Sequence, residues 1–151
     1  MDNTVLIFGA GKTGRGFAAH LAFLGGYRII LIDKNKQLIA DLHKAKQYDI
    51  QVLDAEEKSS IILLSGAYHI DDPRWHVEFI TTHLVFTAVF GNNLEELSQY
   101  LAEALRKRHK QNPQQFLTII TCENLTGAAA FLKEKVLKHL GTKKETWLSK
   151  A

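Results

Sequence analysis

The sequence predicts an α/β protein built on a doubly wound, mostly parallel β-sheet. Short apolar runs alternate with segments of helical periodicity, a glycine-rich turn joins the first run to the first helical segment, and an acidic residue ends the second run. A chain of 151 residues is long enough to bury a full hydrophobic core. We therefore predict that residues 1–151 form a single domain.

The composition is that of an ordinary globular protein. Hydrophobic residues make up 46% and charged residues 23% of the chain, and a net charge of +3 is too small to indicate nucleic-acid binding. Cys122 is the single cysteine, which excludes an internal disulfide and fits a reducing cytoplasm. The N-terminus lacks a signal-peptide pattern, and no apolar run reaches membrane-spanning length. We expect a cytoplasmic protein with neither a nucleic-acid nor a membrane partner.

A glycine turn follows the first predicted strand, residues 5–8. Gly9, Gly11 and Gly14 have G-x-G-x-x-G spacing, and helical periodicity begins directly after them. In this pattern the first glycine allows the tight turn, the second lets a pyrophosphate approach the backbone, and the third lets the helix lie close to the strand. The amide groups and dipole of the helix start also favour phosphate. The turn therefore predicts a dinucleotide site.

Two cations near the helix start support this interpretation. Lys12 and Arg15 lie where a positive charge is unfavourable unless an anion is nearby. Residues 11–13 also resemble part of a phosphate-binding P-loop, but Leu6 stands where that motif needs a glycine. The residues predicted to bind the cofactor at this turn are Phe8, Gly9, Ala10, Gly11, Lys12, Thr13, Gly14, Arg15 and Gly16.

Asp33 ends the second predicted strand, residues 28–32, at about 20 residues past the glycines. A carboxylate there accepts hydrogen bonds from the adenosine ribose and repels a 2′-phosphate, so NAD is favoured over NADP as the cofactor. Lys34 and Lys36 weaken this preference because they can reach a phosphate. A solvated strand end is the alternative role for Asp33.

The rest of the first half of the chain contains clear signals for where helices and strands begin and end. Helix 15–24 has apolar residues at helical spacing and stops at two glycines, and Asn35 caps a second helix. Residues 48–53 and 59–64 predict a small β-hairpin joined by the polar turn 54–58. A short strand at 68–70 and a short helical or irregular segment, opened by residues 71–73 and running through Phe79, complete this half. Trp75 and Val77 are expected to pack and His76 to be solvated.

The second half predicts a buried parallel strand at residues 84–89, ending in small residues that let a ligand approach the backbone; a plain strand and turn is the alternative. Asn93 and Glu96 predict a capping box for the next helix, which ends in the basic run 106–110. We interpret that run as complementing the helix dipole.

The last predicted strand, residues 116–121, leads to Asn124 and a helix that stops at Gly141. Asn124 is either the N-cap of this helix or an amide that points into the crevice beyond the strand ends. Cys122 is interpreted as a packing residue. The histidines show no metal-ligand spacing, so no metal site is expected.

Three segments resemble the mannitol-1-phosphate 5-dehydrogenase family. Residues 8–17 are similar to its G-A-G-x-x-G-R-G-F motif, residues 87–89 to its T-A-V segment, and residues 120–125 to its I-x-C-E-N-hydrophobic segment. The related mannitol 2-dehydrogenases have aspartate where this chain has Glu123, which favours the phosphate-ester branch. The resemblance covers essentially the whole chain.

This resemblance implies the NAD-binding Rossmann domain of an oxidoreductase that interconverts D-mannitol 1-phosphate and D-fructose 6-phosphate. It implies that residues 9–16 hold the pyrophosphate and that Asp33 holds the adenosine ribose. Ala88 and Val89 would line the nicotinamide side. Asn124 would correspond to the asparagine that donates a hydrogen bond to the developing alkoxide.

The family also carries a helical C-terminal domain, whose K-x-x-x-x-N-x-x-H motif supplies a lysine base, and the sixth strand of the classical set, to which the predicted hairpin does not belong; neither is found in this sequence. We therefore expect NAD binding without turnover, and binding of the sugar alcohol phosphate only together with that domain. The resemblance implies a monomer, although an exposed sheet edge would favour self-association. The alternatives are a nucleotide-sensing regulatory module and an S-adenosylmethionine-dependent methyltransferase, the latter disfavoured by Gly14, Arg15 and Gly16.

Overall fold

The computed structural model describes residues 3–52 and 58–141. They contain one six-stranded sheet. Its strands are β1 (Thr4–Phe8), β2 (Arg28–Asp33), β3 (Gln47–Val52), β4 (Lys58–His69), β5 (Leu84–Thr87) and β6 (Thr118–Thr121). The strand order is β3-β4-β2-β1-β5-β6, and only the β3–β4 pair is antiparallel.

Helices cover both faces of the sheet, as the predicted doubly wound fold requires. They are α1 (Ala19–Leu24), α2 (Lys36–Ala45), α3 (Arg74–Thr81), α4 (Leu94–Gln111) and α5 (Ala128–Leu140). A π-helical turn, Gly14–Ala18, precedes α1, and a 3-10 turn, Gly91–Asn93, precedes α4. The buried residues of α1 and α2 pack on one face, and those of α3, α4 and α5 pack on the other. The predicted fold class is confirmed.

The first helix turns its small residues toward the sheet. Ala18, Ala19 and Ala22 are buried, whereas Phe17 is 54% and Leu24 67% exposed. The larger apolar residues, whose spacing predicted this helix, therefore do not form its buried face. A helix that lies this close to a strand leaves space for methyl groups only.

The hairpin is part of the main sheet. Residues 59–64 and 68–70 were predicted as separate strands, but 59–64 and 68–69 belong to the single twelve-residue strand β4, which ends before Ile70. This strand pairs antiparallel with β3 in its first half and parallel with β2 in its second half, with a register shift between Ile29 and Ile30. One long strand can serve both partners because the pairing changes along its length. The predicted turn at 54–58 falls on residues 54–57, which lie outside the described residues, and on Lys58, which begins β4.

Trp75 is the largest fully buried side chain among the described residues. Its indole Nε1 donates a hydrogen bond to the Ile70 carbonyl (2.8 Å), and its ring meets the edge of Phe8 at 5.2 Å between centroids. The packing predicted for Trp75 is therefore confirmed, but Val77 is 68% exposed. His76, predicted to be solvated, is half-buried and stacks on Trp75 with 3.8 Å between ring centroids. The indole thereby anchors α3 beneath β1.

Arg108 lies in the basic run at the end of α4, yet it is only 3% exposed. Its guanidinium donates hydrogen bonds to the carbonyls of Phe79 (2.5 Å), Ile80 (2.9 Å) and Phe116 (3.0 Å). Burial lowers the pKa of Arg108. This side chain therefore joins the end of α3 to the segment before β6, a role that the charge pattern did not predict.

Within the described residues, no helix is both long and apolar enough to cross a membrane.

Replacing Arg108 by methionine should lower the free energy of unfolding by about 3 kcal/mol, because several buried carbonyls lose a charged donor. Urea unfolding followed by circular dichroism measures this change. Lys110→Met, at an exposed position in the same run, is the matched control and should change stability by less than about 0.5 kcal/mol. Equal losses in the two variants would contradict the assigned role.

Candidate dinucleotide site

A cleft of about 310 Å³ opens at the carboxyl ends of the parallel strands. It lies where β1 and β5 are neighbours and the strand order reverses, which is where open α/β sheets bind ligands. The glycine turn and the ends of β2 and β5 form three of its walls, and the start of α4 forms the fourth. Of the predicted site residues, the cleft is lined by Phe8, Gly9, Gly11, Asp33, Ala88 and Val89.

Two of the glycines are required by the fold. Gly9 has a φ of +97°, and a Cβ there would collide with the carbonyl group of Ala88. A Cβ on Gly14 would collide with the carbonyl oxygen of Gly9. The Gly9 amide also donates a hydrogen bond to the Ile32 carbonyl (2.7 Å). These contacts hold the turn against β2 on one side and the end of β5 on the other.

Gly11 is different, because packing does not require a glycine there. A Cβ at this position would meet no atom within 4 Å, and its φ is not in the left-handed region. Gly11 also lines the cleft. The absent side chain therefore leaves open space at the cleft wall, where a ligand can approach the backbone.

The helix after the turn begins at Lys12 and passes into the π-helical turn. Lys12, Thr13 and Gly16 are exposed at this helix start, outside the cleft lining. Arg15 folds back, and its Nε donates a hydrogen bond to the Ala10 carbonyl (2.8 Å). The helix thus begins at Lys12, three residues before the start at residue 15 that the apolar spacing predicted, and so nearer to the cleft.

Asp33 is held by two backbone amides. Its Oδ2 accepts a hydrogen bond from the Ala10 amide (2.6 Å), and its Oδ1 accepts one from the Asn35 amide (2.8 Å). The carboxylate is half-buried and lines the cleft, so it ties the glycine turn to the end of β2. It is an oriented acceptor in the cleft wall rather than a solvated strand end.

The predicted capping box at α4 is wrong. Lys34 Nζ donates hydrogen bonds to Asn93 Oδ1 (2.9 Å) and forms an ion pair with Glu96 Oε2 (2.9 Å). The Asn93 side chain makes no capping hydrogen bond. Asn93 and Glu96 both contact the ammonium group of Lys34, and these contacts join two walls of the cleft.

Glu123 fixes the ends of β5 and β6. Its carboxylate accepts hydrogen bonds from Thr87 Oγ1 (2.9 Å) and from the Val89 amide (3.0 Å). Burial raises the pKa of Glu123, and these hydrogen bonds oppose the rise. This role of Glu123 was not predicted, although an acidic residue after one strand and a threonine at the end of the neighbouring strand indicate it in the sequence. These hydrogen bonds of Glu123 position the backbone of Ala88 and Val89.

Asn124 is exposed and lies beside Glu123, outside the cleft lining. The N-cap interpretation is wrong, because α5 begins at Ala128 and is preceded by Gly127 with a φ of +77°. Cys122 is half-buried and packs on the core, and burial raises the pKa of its thiol, which disfavours a thiolate. Among the described residues, no group of three or more His, Cys, Asp or Glu side chains could hold a metal ion.

These features define the class of Rossmann nucleotide-binding domains: a doubly wound sheet, a glycine turn after the first strand, an acidic residue at the end of the second and a cleft at the switch point. The sequence matches the mannitol dehydrogenase Rossmann domain over residues 3–151. The chain belongs to this family, which confirms the resemblance seen in the three segments.

Curated relatives are similar over part of their length. The chain is 36% identical over 145 residues to mannitol-1-phosphate 5-dehydrogenase of Lactococcus lactis subsp. lactis, and the match covers 95% of this chain and 38% of that protein. The protein of the same name from Enterococcus faecalis is 35% identical over 135 residues, with 88% and 35% covered. The chain therefore spans less than two fifths of the length of these relatives.

Solved structures share the fold at low identity. A glycerol-3-phosphate dehydrogenase from Coxiella burnetii superimposes with a TM-score of 0.58 at 13% identity, covering 93% of this chain and 38% of that one. The TrkA-N domain of an Escherichia coli inner membrane protein superimposes with a TM-score of 0.53 at 13% identity, covering 89% and 83%. At this identity the likeness shows the fold alone.

Gly14→Ala should lower the free energy of unfolding by about 2 kcal/mol or more, because the new methyl group meets a backbone carbonyl that cannot move freely. Gly16→Ala is the matched variant on the same turn, where a Cβ meets nothing within 4 Å. It should leave stability unchanged or raise it by up to about 1 kcal/mol. Thermal and urea unfolding measure both, and similar losses would show that the close approach at Gly14 is not a constraint.

The stability that Glu123 contributes should depend on pH. Since the folded protein raises the pKa of this carboxyl, the folded state binds the proton more tightly than the unfolded chain does. Relative to Glu123→Gln, the wild type should be most stable below the ordinary carboxyl pKa and should lose this advantage as pH rises through the raised pKa. Urea unfolding of both proteins from pH 4 to pH 8 tests this, and an advantage that grows with pH would contradict it.

Proposed function

We propose that this chain is the NAD-binding domain of an NAD-dependent polyol-phosphate dehydrogenase. The observation that carries the proposal is the open cleft wall at Gly11 beside the oriented carboxylate of Asp33. Packing does not require a glycine at position 11, and Asp33 faces the cleft as well as its backbone partners. Together the two features match the needs of a pyrophosphate and a ribose. Membership of the mannitol dehydrogenase Rossmann domain family supports the redox function.

The proposed dinucleotide lies across the switch point. Its pyrophosphate is held by residues 9–16, its adenosine ribose by Asp33, and its nicotinamide faces Ala88 and Val89. The backbone at Gly11 is accessible from the cleft, and the helix that starts at Lys12 directs amide groups and the positive end of its dipole toward the phosphates. Phe8, the last residue of β1, belongs to the same wall.

The preference for NAD over NADP follows from the charges at the adenosine end. Asp33 places a negative charge where a 2′-phosphate would lie. Lys34 is the nearest cation in sequence, but Glu96 and Asn93 hold its ammonium group at 2.9 Å each. The carboxylate of Glu96 balances the charge of Lys34, so the repulsion from Asp33 is not offset.

The proposed reaction is the oxidation of D-mannitol 1-phosphate to D-fructose 6-phosphate, the activity that the names of the relatives suggest. NAD, when bound, would accept the hydride from the reacting carbon. Asn124, at the carboxyl end of β6, would donate a hydrogen bond to the developing alkoxide. We propose a cytoplasmic site of action, which the single half-buried thiol of Cys122 fits.

The general base is proposed to lie outside this chain. Among the described residues that line the cleft, the charged ones are Asp33, Lys34 and Glu96, all at the end formed by β2 and α4. The β5 end of the lining, with Ala88, Val89 and Phe90, offers no titratable side chain. We therefore propose that this chain binds NAD without turning over polyol, and that the sugar alcohol phosphate binds only when the remaining part of a full-length relative is present.

NADH titration of the purified chain, followed by fluorescence, tests the proposal. NADH should bind more tightly than NADPH, and S-adenosylmethionine should not compete. Asp33→Ala should weaken NADH binding by about tenfold or more, since a charged acceptor is lost. Asp41→Ala, on the exposed face of α2, is the matched control and should bind as the wild type does.

Gly11→Ala should weaken NADH binding while leaving urea unfolding unchanged. Addition of D-fructose 6-phosphate should cause no oxidation of NADH by this chain alone. A wild-type chain that is folded by circular dichroism but binds no NADH would overturn the proposal, and so would tighter binding of S-adenosylmethionine.

A further inference from the structure

The β3–β4 hairpin reaches the helix that follows the glycine turn. Tyr48, on β3, donates a hydrogen bond from its hydroxyl to the Arg15 carbonyl (2.9 Å). The guanidinium carbon of Arg15 lies over the Tyr48 ring, 5.9 Å from its centroid. One side chain of the hairpin thus contacts both the backbone and the side chain of Arg15. The parallel pairing of β4 with β2 does not require the contact between Tyr48 and Arg15. This contact can therefore have a role other than sheet formation.

Arg15 in turn contacts the glycine turn. Its Nε donates to the Ala10 carbonyl (2.8 Å), and the Ala10 amide donates to Asp33 Oδ2 (2.6 Å). The peptide groups on both sides of Ala10 are therefore held, one by Arg15 and one by Asp33. We call this series of contacts from Tyr48 through Arg15 and Ala10 to Asp33 the Tyr48 relay.

The relay enters the helix at its irregular turn. Arg15 belongs to the π-helical turn Gly14–Ala18, in which the Ala19 amide donates to the Gly14 carbonyl. A π turn is wider than an α turn, is rarely stable by itself and is frequently found at functional sites. A hydroxyl donor on a carbonyl inside this turn supports the wider geometry. The support comes from a strand distant in sequence.

The hydroxyl of Tyr48 is a permanent donor. Tyr48 is half-buried, and burial raises the pKa of its hydroxyl, with the charge of Arg15 opposing the rise. Ala10 is fully buried, so water does not replace the contacts of its peptide groups. The contacts at Ala10 are therefore made directly within the protein.

We propose that Tyr48 is a positioning residue for the pyrophosphate of the bound dinucleotide, acting through Arg15 on the Ala10–Gly11 backbone. The Nε bond to Ala10 orients the guanidinium, whose terminal nitrogens are suited to a phosphate. The hairpin is thus a support for the phosphate-binding turn. This inference rests on the proposed function, because it names how that site is held in its binding geometry.

Tyr48→Phe tests the relay with ligands that contain or lack phosphate. Affinities for NADH and ADP should fall about fivefold, the effect of one lost hydrogen bond, while the affinity for adenosine should change less than about twofold. A purely structural loss would weaken all three ligands alike and would overturn the inference. Tyr27→Phe, a half-buried tyrosine at the other end of α1, is the matched control and should leave all three affinities unchanged.

A double-mutant cycle tests whether Tyr48 acts through Arg15. In an Arg15→Gln background, Tyr48→Phe should weaken NADH binding by less than about twofold, because the link to Ala10 is already absent. A further loss as large as in the wild-type background would show that Tyr48 acts by another route and would overturn the relay.

Hydrogen exchange of the ligand-free chain separates this inference from the proposed function. Tyr48→Phe should speed exchange at the amides of Ala10 and Arg15 by about fivefold, with no change at the buried strand β1. This result with no NADH binding by the wild type would sustain the relay and remove the cofactor role. Unchanged exchange with normal NADH binding would overturn the relay and leave the proposed function standing.

Discussion

The close contact between Gly14 and the carbonyl of Gly9 is the constraint on which the rest of this structure depends. It brings the first helix so near to β1 that only small side chains, Ala18, Ala19 and Ala22, fit against the sheet. The same turn meets the end of β5 through the contact of Gly9 with Ala88. Three elements thereby meet at the switch point without side chains between them, and the cleft forms over this junction.

Two carboxylates hold the cleft from opposite ends. Asp33 accepts the amide of Ala10 and so joins β2 to the glycine turn, and Glu123 accepts the amide of Val89 and so joins β6 to β5. Half-buried carboxylates need such partners, because water no longer satisfies their oxygens. Both carboxylates have two partners within the protein, but Asp33 lines the cleft and Glu123 does not, so Asp33 is the one of the two that is suited to ligand recognition.

The hairpin extends this design beyond the parallel sheet. β4 belongs to the sheet through β2 and to the hairpin through β3, so the hairpin is rigidly joined to the strand that ends in Asp33. Tyr48, on β3, then contacts the helix that follows the glycine turn. The domain thus carries its own support for the glycine turn. The match covers less than two fifths of the length of the relatives, so the relatives combine this domain with further chain.

The sequence by itself determined the fold class, the glycine turn and the position of Asp33, because these depend on local periodicity and on φ values that only glycine adopts freely. Tertiary structure alone decided which helix face is buried, since the spacing of Phe17 and Leu24 does not reveal how closely the helix approaches the sheet.

Tertiary structure also decided the partners of charged side chains. Glu96 pairs with Lys34 instead of capping α4, and Arg108 donates hydrogen bonds to buried carbonyls instead of facing solvent. Partners that are distant in sequence compete with local ones. Strand pairing likewise made one strand of residues predicted as two, because register depends on a neighbour that the local pattern does not contain.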